Sequence, residues 1–588
     1  MVPCRFSVFL VFLAIVTAED NFMPCENDIY CYGDIIHTVA QSGIYTDSKT
    51  FVDKPLKYEP NIVKTNYDFM IKQHGLQPPV EEIKKFIEHN FRPEGYEFVE
   101  WTPQDWVPNP KFIDTINDTA LRTFASELNS IWKNLGRSIR QDVKTRPEMY
   151  SMIYVDNPVV VPGGRFREFY YWDQFWIVKG LLHCEMTTTV QGILENFLQM
   201  VEELGYIPNG GRIYYKRSHP PLLIPMVQDY MKVTENDTFL ESHIATLDKE
   251  FAFWTTKRNY SLEIEDNNYT VFRYNVELGN PRPEAYHPDY ELVSEIPNPT
   301  EQKELYEHLK TAAESGIDFS WRWFLPKTES DVGTLKDTKT RHIIPIDLNV
   351  LILRNAIIMQ EFHTKIGNTE QAEEYEEFAA TLEATINDVF WNQTLGSWFD
   401  YVVADEHQGH KTEFFPGNIL PLILGLPSMI SKTTEVLTYL NEQKVFSYRG
   451  GIPSSLESTT QQWDFPNAWA PHNHWIIESL EATGNPEAKK LAVATAQKWV
   501  ENNLLTYRTH EDTMFEKYDA ANPGSRGGGG EYEVVEGFGW SNGVVLDLLK
   551  KYGDILTSPT SPDGALQAFI SIPILLLALG ITFLLSHS

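Results

Sequence analysis

The chain has 588 residues, 42% of them hydrophobic and 13% aromatic, which is enough apolar material for a large core and excludes a disordered or fibrous protein. The formal net charge is -32, from 81 acidic and 49 basic residues, and this argues against nucleic acid as a partner, since neutralising phosphates needs clustered Lys and Arg. An acidic surface of this kind keeps a protein soluble through self-repulsion.

From the N-terminus, residues 1–18 read as a secretory leader, with Arg5, an apolar run from Val8 to Val16 and small residues leading to Ala18. Cys4 falls within it. Cys25 and Cys31 are close enough to close a small loop in an oxidising compartment, while Cys184, beside Leu181 and Leu182, reads as a buried free thiol. Residues 19–110 are Pro-rich and irregular, with helical openings at 34–41 and 80–89, and are expected to form an extension packed on the main domain.

Long segments of helical periodicity then dominate a single domain over 111–556. The spacing of apolar residues predicts helices at 119–140, 174–182, 187–204, 222–231, 240–257, 303–315, 346–365, 369–390, 415–424, 430–443, 467–483, 486–507 and 540–552. Strand-like alternation is scarce. The loops between them carry Gly, Pro, Trp and charge, as in PGGRFREFYYWD, YIPNGGRIYYKRSHPP, GIDFSWRWF and QQWDFPNAWAP. Helices separated by such loops suggest an all-α fold of helical hairpins in a ring, with one set of loops converging on a pocket.

Acidic and aromatic residues interleaved in loops suit a sugar site. Sugar C–H faces stack on aromatic rings, and hydroxyls need partners such as Asp, Glu, Asn and Arg. Tyr170, Tyr171 and Trp172 beside Asp173, Trp463 beside Asp464, and Phe538 and Trp540 near Glu536 fit that need, although any one pair could equally be a surface staple. Cleaving a glycosidic bond requires two carboxyl groups, one protonated and one ionised. Asp318 stands out, flanked by Ile317 and Phe319 with Trp321 and Trp323 nearby, surroundings that favour a protonated acid; an ion pair with Arg322 is the opposing possibility. Gly527 to Gly530 lie between Glu516 and Glu531 and are expected to form a lid over the pocket. His472 and His474 form a lone HxH with no evident metal-ligand cluster.

PGGRFREFYYWDQFW at 162–176 and QWDFPNAWAP at 462–471 resemble the two motifs characteristic of trehalases, and the glycine run with GEY and GFGW is similar to that family's C-terminal block. The leader followed by CENDIYCYGDIIHTV looks like animal members. The resemblance implies an (α/α)6 toroid with an irregular N-terminal wrap. It implies hydrolysis of α,α-trehalose to two glucose molecules with inversion, without metal or cofactor. It makes Asp318 the general acid and Glu516 the general base. It places substrate contacts at Arg165, Trp172, Asp173, Asn209, Arg217, Ser218, His219, Arg282, Glu284, Gly316 and Glu531. Two departures stand out: His219 replaces a Gln in RSHPP, and Gln174 with Phe175 replace the usual pair after Trp-Asp. The alternatives are a trehalose-binding surface protein without catalysis and a hydrolase of another α-glucoside; glucose release from trehalose, maltose and sucrose discriminates them.

At the C-terminus, 565–585 is almost wholly apolar and only Ser-His-Ser follows, after a polar spacer. Residues 557–588 therefore read as a spacer and anchor. The missing basic stop favours a tail exchanged for a glycolipid (GPI) over a single transmembrane helix. Sequons at Asn117, Asn236, Asn259, Asn268 and Asn392 agree with a glycoprotein displayed on the outer membrane face.

Overall fold

The computed structural model describes residues 25–559 apart from 327, 329–331, 405–406, 531–534 and 536. The leader, the C-terminal spacer and apolar segment, Glu531 and Glu536 lie outside the described residues. Among the described residues no helix is long and apolar enough to cross a membrane.

Helices alternate between an outer and an inner layer. The inner layer consists of α1 (Asp173–His183), α2 (Leu223–Thr234), α3 (Ile346–Lys365), a 3-10 segment (Pro416–Leu424), α4 (Ala470–Ala482) and α5 (Gly539–Tyr552). Each packs against the next, and α5 returns to pack on α1, which closes the circuit. Each inner helix is preceded by an outer one: Thr119–Leu135, Thr187–Leu204, Asp237–Lys257, Thr369–Val389, Thr433–Glu442 and Pro486–Thr509. Six outer-inner pairs make this an (α/α)6 toroid.

The inner helices are apolar nearly all round, as expected of elements buried on every side, and α3 alone buries Leu348, Val350, Leu351, Ile352 and Leu353. The segment 416–424 was expected as an α-helix. Pro421 inside it removes an N–H donor, and the segment forms a 3-10 helix instead. Connections from an inner helix to the next outer one are short and turn on a left-handed residue, namely Glu185, Glu235, Gly367, Gly425 or Gly484. Connections from outer to inner helix are long, and all of them emerge at the end of the ring where the inner helices begin. That asymmetry gathers the loops into one face.

Residues 25–110 are knitted into the domain rather than merely laid on it. The strand β1 (Phe98–Glu100) pairs with β2 (Gly136–Ile139), which pairs with β3 (Val159–Val160) in the first long loop. Lys49 is buried between Asp53 at 2.5 Å and Glu168 at 2.7 Å, and Arg212 lies against the same two acids. Cys25 and Cys31 form a disulfide, and Cys184 is a buried free thiol. The hairpin of β4 (Asn259–Ile264) and β5 (Asn267–Phe272) is missing from the sequence-based expectation; its Glu-Asp turn lacks the glycine that marks many hairpins.

Asn117, Asn259 and Asn268 are exposed. Asn236 is a half-buried helix cap that accepts from the Phe239 N–H, and Asn392 is half-buried with its amide on His410.

Candidate active site

The long loops enclose a cleft of about 830 Å³ at the start of the inner helices. Five carboxyl side chains line it: Asp47 and Glu284, and with them Asp173 from the first turn of α1, Asp318 from the third long loop and Glu516 from the sixth. Trp172, Trp463, Trp469, Phe538 and Trp540 form its aromatic wall. Trp463 and Trp469 stack at 3.8 Å and 7°, and Trp172 meets Trp463 and Trp540 at 5.8 Å each. Gly316 is required by this packing: it has φ +76°, and a Cβ there would lie 2.6 Å from the Trp172 ring.

The loops that carry the carboxyls are stapled from behind. Gln462 Nε2 donates to the Asp318 carbonyl at 2.5 Å, and Lys517 Nζ donates to Gln462 Oε1 at 2.7 Å. Strand β6 (Asn467–Trp469) pairs antiparallel with β7 (Lys517–Asp519), and Trp540 Nε1 donates to the Glu516 carbonyl at 2.9 Å. Asp464, a sugar-contact candidate by its neighbour Trp463, is a staple instead. It is fully buried and accepts from Ser320 and the Trp321 N–H of the Asp318 loop and from Ser455 and Thr459 of its own loop. Burial raises its pKa to about 6 against the pull of those bonds.

The electrostatics differ from the sequence-based picture. Asp318 keeps 31% side-chain exposure, so it is not enclosed by its apolar neighbours. Arg322 turns away from it to Asp347 at 2.6 Å and Asp400 at 2.7 Å, while Arg282 Nη1 lies 3.9 Å from Asp318. The enclosed carboxyls are Asp173 and Glu516, at 4% and 2% exposure. Burial, reinforced by the charges of Glu516 and Asp318 and only partly offset by a backbone hydrogen bond, pushes the Asp173 pKa well above the usual carboxylate range. Lys517 Nζ lies 3.8 Å from Glu516 Oε2. Burial works against the Glu284 charge, but Arg217 at 2.7 Å and Arg282 outweigh it and hold that carboxyl below its ordinary pKa.

Arg165, Asn209, Arg217, His219, Arg282 and Glu284 all reach the cleft wall. Ser218 does not line it: its hydroxyl donates to the Ile207 carbonyl at 2.7 Å and its N–H to Glu314, so it supports the loop from behind. His219 is buried with Nδ1 lacking any hydrogen-bond partner, and burial together with Arg217 depresses its pKa well below 6.5. The glycine run, expected as a lid, is docked. The N–H groups of Gly527, Gly528 and Gly530 donate to the Lys517 carbonyl, Asn467 Oδ1 and the Thr460 carbonyl.

Sequence reasoning missed Asp47, Asp289, Gln462 and Lys517. Asp289 receives the Arg282 guanidinium at 2.6 Å and Asp47 receives Arg165 at 2.7 Å. The QW dipeptide of QWDFPNAWAP was a usable signal for Gln462; nothing local marks Asp47, whose partner Arg165 is 118 residues away. At the far end of the ring, His474, Glu478 and Asp547 do gather, a grouping that the HxH pair alone did not suggest. There Asp547 accepts from His183 at 2.8 Å and His474 at 3.0 Å, and Lys551 holds Glu478 at 2.6 Å.

An (α/α)6 toroid whose loops enclose carboxyls within an aromatic cleft defines a glycoside hydrolase of the helical-ring class. The family model described as Trehalase matches residues 43–553. Trehalase of Apis mellifera is 46% identical over 559 residues, covering 94% of this chain and 88% of that protein. Trehalase of Homo sapiens is 42% identical over 564 residues, covering 96% and 95%. Neutral trehalase Nth1 from Saccharomyces cerevisiae superposes with a TM-score of 0.54 at 23% identity, over 67% of this chain and 73% of that one, a likeness of fold. The chain belongs to the trehalase family.

Proposed function

We propose that the protein hydrolyses α,α-trehalose to two glucose molecules with inversion, Asp318 acting as general acid and Glu516 as general base. The observation that carries this reading is the convergence of Asp173, Asp318 and Glu516 in one aromatic-walled cleft. Inversion requires a water between the base and the anomeric carbon, with carboxyls about 6.5–9.5 Å apart. Glu516, enclosed beside the Lys517 ammonium, takes a proton from that water. Asp318, on the more open side, delivers its proton to the bridging oxygen and is left as a carboxylate beside Arg282.

Asp173, Asp318 and Glu516 as carboxylates in one cleft would repel strongly. Burial raises the pKa of Asp173 and so favours its protonated form, which relieves this and can donate a hydrogen bond to a sugar hydroxyl. Arg165, Asn209, Arg217, His219, Arg282, Glu284 and Glu531 hold the remaining hydroxyls, and Trp172 packs against a sugar face. The neutral His219 offers Nδ1 as an acceptor where the amide of the usual Gln would sit. The leader, the N-terminal disulfide and the sequons support action on the outer face of the cell, with the C-terminal segment as anchor.

The test is proton NMR of trehalose during the first minutes of digestion. Equal α- and β-glucose before mutarotation is expected, and Asp318→Asn and Glu516→Gln should each lower kcat by about 10³-fold or more while remaining folded. Release of α-glucose alone would overturn inversion, and near-normal turnover in either variant would remove that residue from its role.

A further inference from the structure

The sugar-contact residues above come from the toroid, yet the cleft wall also includes Thr46, Asp47 and Ser48, from the extension that precedes it. Asp47 meets Arg165 fork to fork, with Arg165 Nε 2.7 Å from Oδ2 and Nη2 2.7 Å from Oδ1. Holding a guanidinium at two donors fixes its plane as well as its position. The carboxylate is 28% exposed and the guanidinium 19%, so neither is sealed in the core as a purely structural pair would be.

The segment carrying Asp47 is itself held on both sides. Ser48 Oγ accepts from the His287 N–H at 3.2 Å, and the following Lys49 is locked into the buried acids Asp53 and Glu168. Glu168 in turn accepts from the hydroxyl of Tyr170, which also lines the cleft. The short helix Lys49–Val52 packs on the turn Pro283–Ala285, which contains Glu284. Asp47 therefore stands on a strap braced against the loop of Arg165 and the loop of Glu284 together.

We propose that Asp47 is a positioning residue for substrate: the extension completes the sugar site by orienting Arg165. This rests on reading the cleft as the trehalose site. The pair lines the cleft but is not itself assigned to proton transfer, so its loss acts on binding more than on chemistry. Asp47→Asn keeps the shape and removes the charge-assisted fork, while Asp47→Glu keeps the charge.

The experiment is steady-state kinetics on trehalose with the full chain, together with competitive inhibition by glucose and thermal midpoints. Asp47→Asn should raise KM and the glucose inhibition constant about tenfold, with kcat changed less than about threefold and the midpoint within about 2 °C of the unmodified protein. Asp47→Glu should recover most of the lost affinity. An unchanged KM in Asp47→Asn, or a loss of kcat and midpoint together that Asp47→Glu fails to restore, would overturn the positioning role. If the unmodified protein releases no glucose from trehalose, the reading of the cleft fails and the proposal falls with it.

Discussion

His219 illustrates how burial rewrites a side chain's chemistry. Its place in RSHPP suggests a titrating sugar contact whose affinity weakens in acid. Burial and Arg217 instead depress its pKa well below 6.5, so the imidazole stays neutral through the mildly acid range. Its affinity contribution should therefore be flat between pH 5 and 8, and the profile of 1/KM in that window should match that of His219→Gln. An inflection near pH 6 in the unmodified protein that the variant lacks would refute this. Asp318 was legible as a residue of interest from GIDFSWRWF, but its setting was not. Its partner among the arginines is decided by Asp347 and Asp400, which claim Arg322 from positions far along the chain. Asp464 shows the reverse: the motif marks it, and only the four donors converging on it reveal a staple.

At the scale of elements, the glycine run separates glycines that serve geometry from one that does not. Gly530 has φ +90°, and a Cβ there would press within 2.8 Å of Gln462, the residue that holds both the Asp318 carbonyl and Lys517. Gly528 has open space around its Cβ position. Gly530→Ala should cost about 1–3 kcal/mol and reduce turnover through Gln462, whereas Gly528→Ala should stay within about 0.5 kcal/mol with normal kcat. Denaturant midpoints and kcat for the two variants check this, and indistinguishable effects would return the run to the status of a spacer. The helices themselves were largely readable, because an apolar face repeats every three to four residues whatever its partner is. Their ends moved by several residues where caps decide, as at Asn298, which starts Pro299–Glu314 ahead of the periodic stretch.

Across the whole molecule, buried histidines set the response to acid. Burial depresses the pKa of His219, His308 and His472, the last to about 3. Below about pH 6.5 the unfolded chain binds protons at these sites while the folded chain does not, so each removes about 1.4 kcal/mol of stability per pH unit as pH falls. Glu250, raised to about 7 by burial, and Asp464, raised to about 6, act with the opposite sign. Their stabilisation is full below the unfolded carboxyl pKa and is lost as pH rises through the folded values. His472→Asn should therefore lose thermal midpoint less steeply than the unmodified protein between pH 6 and 4, and parallel curves would contradict the assignment. The proposed C-terminal anchor is open to an equally direct check. A phospholipase that cuts glycolipid anchors should release the protein from membranes, and retention would favour a transmembrane helix. The sequence by itself determined the helical class, the family and most side chains of the cleft, since periodicity and motifs are local and survive without coordinates. Only the tertiary structure decided which charges pair. Asp47 with Arg165 and Asp400 with Arg322 depend on distant segments meeting at one end of a closed ring, and such ion pairing depends on distances that spacing along a chain does not encode.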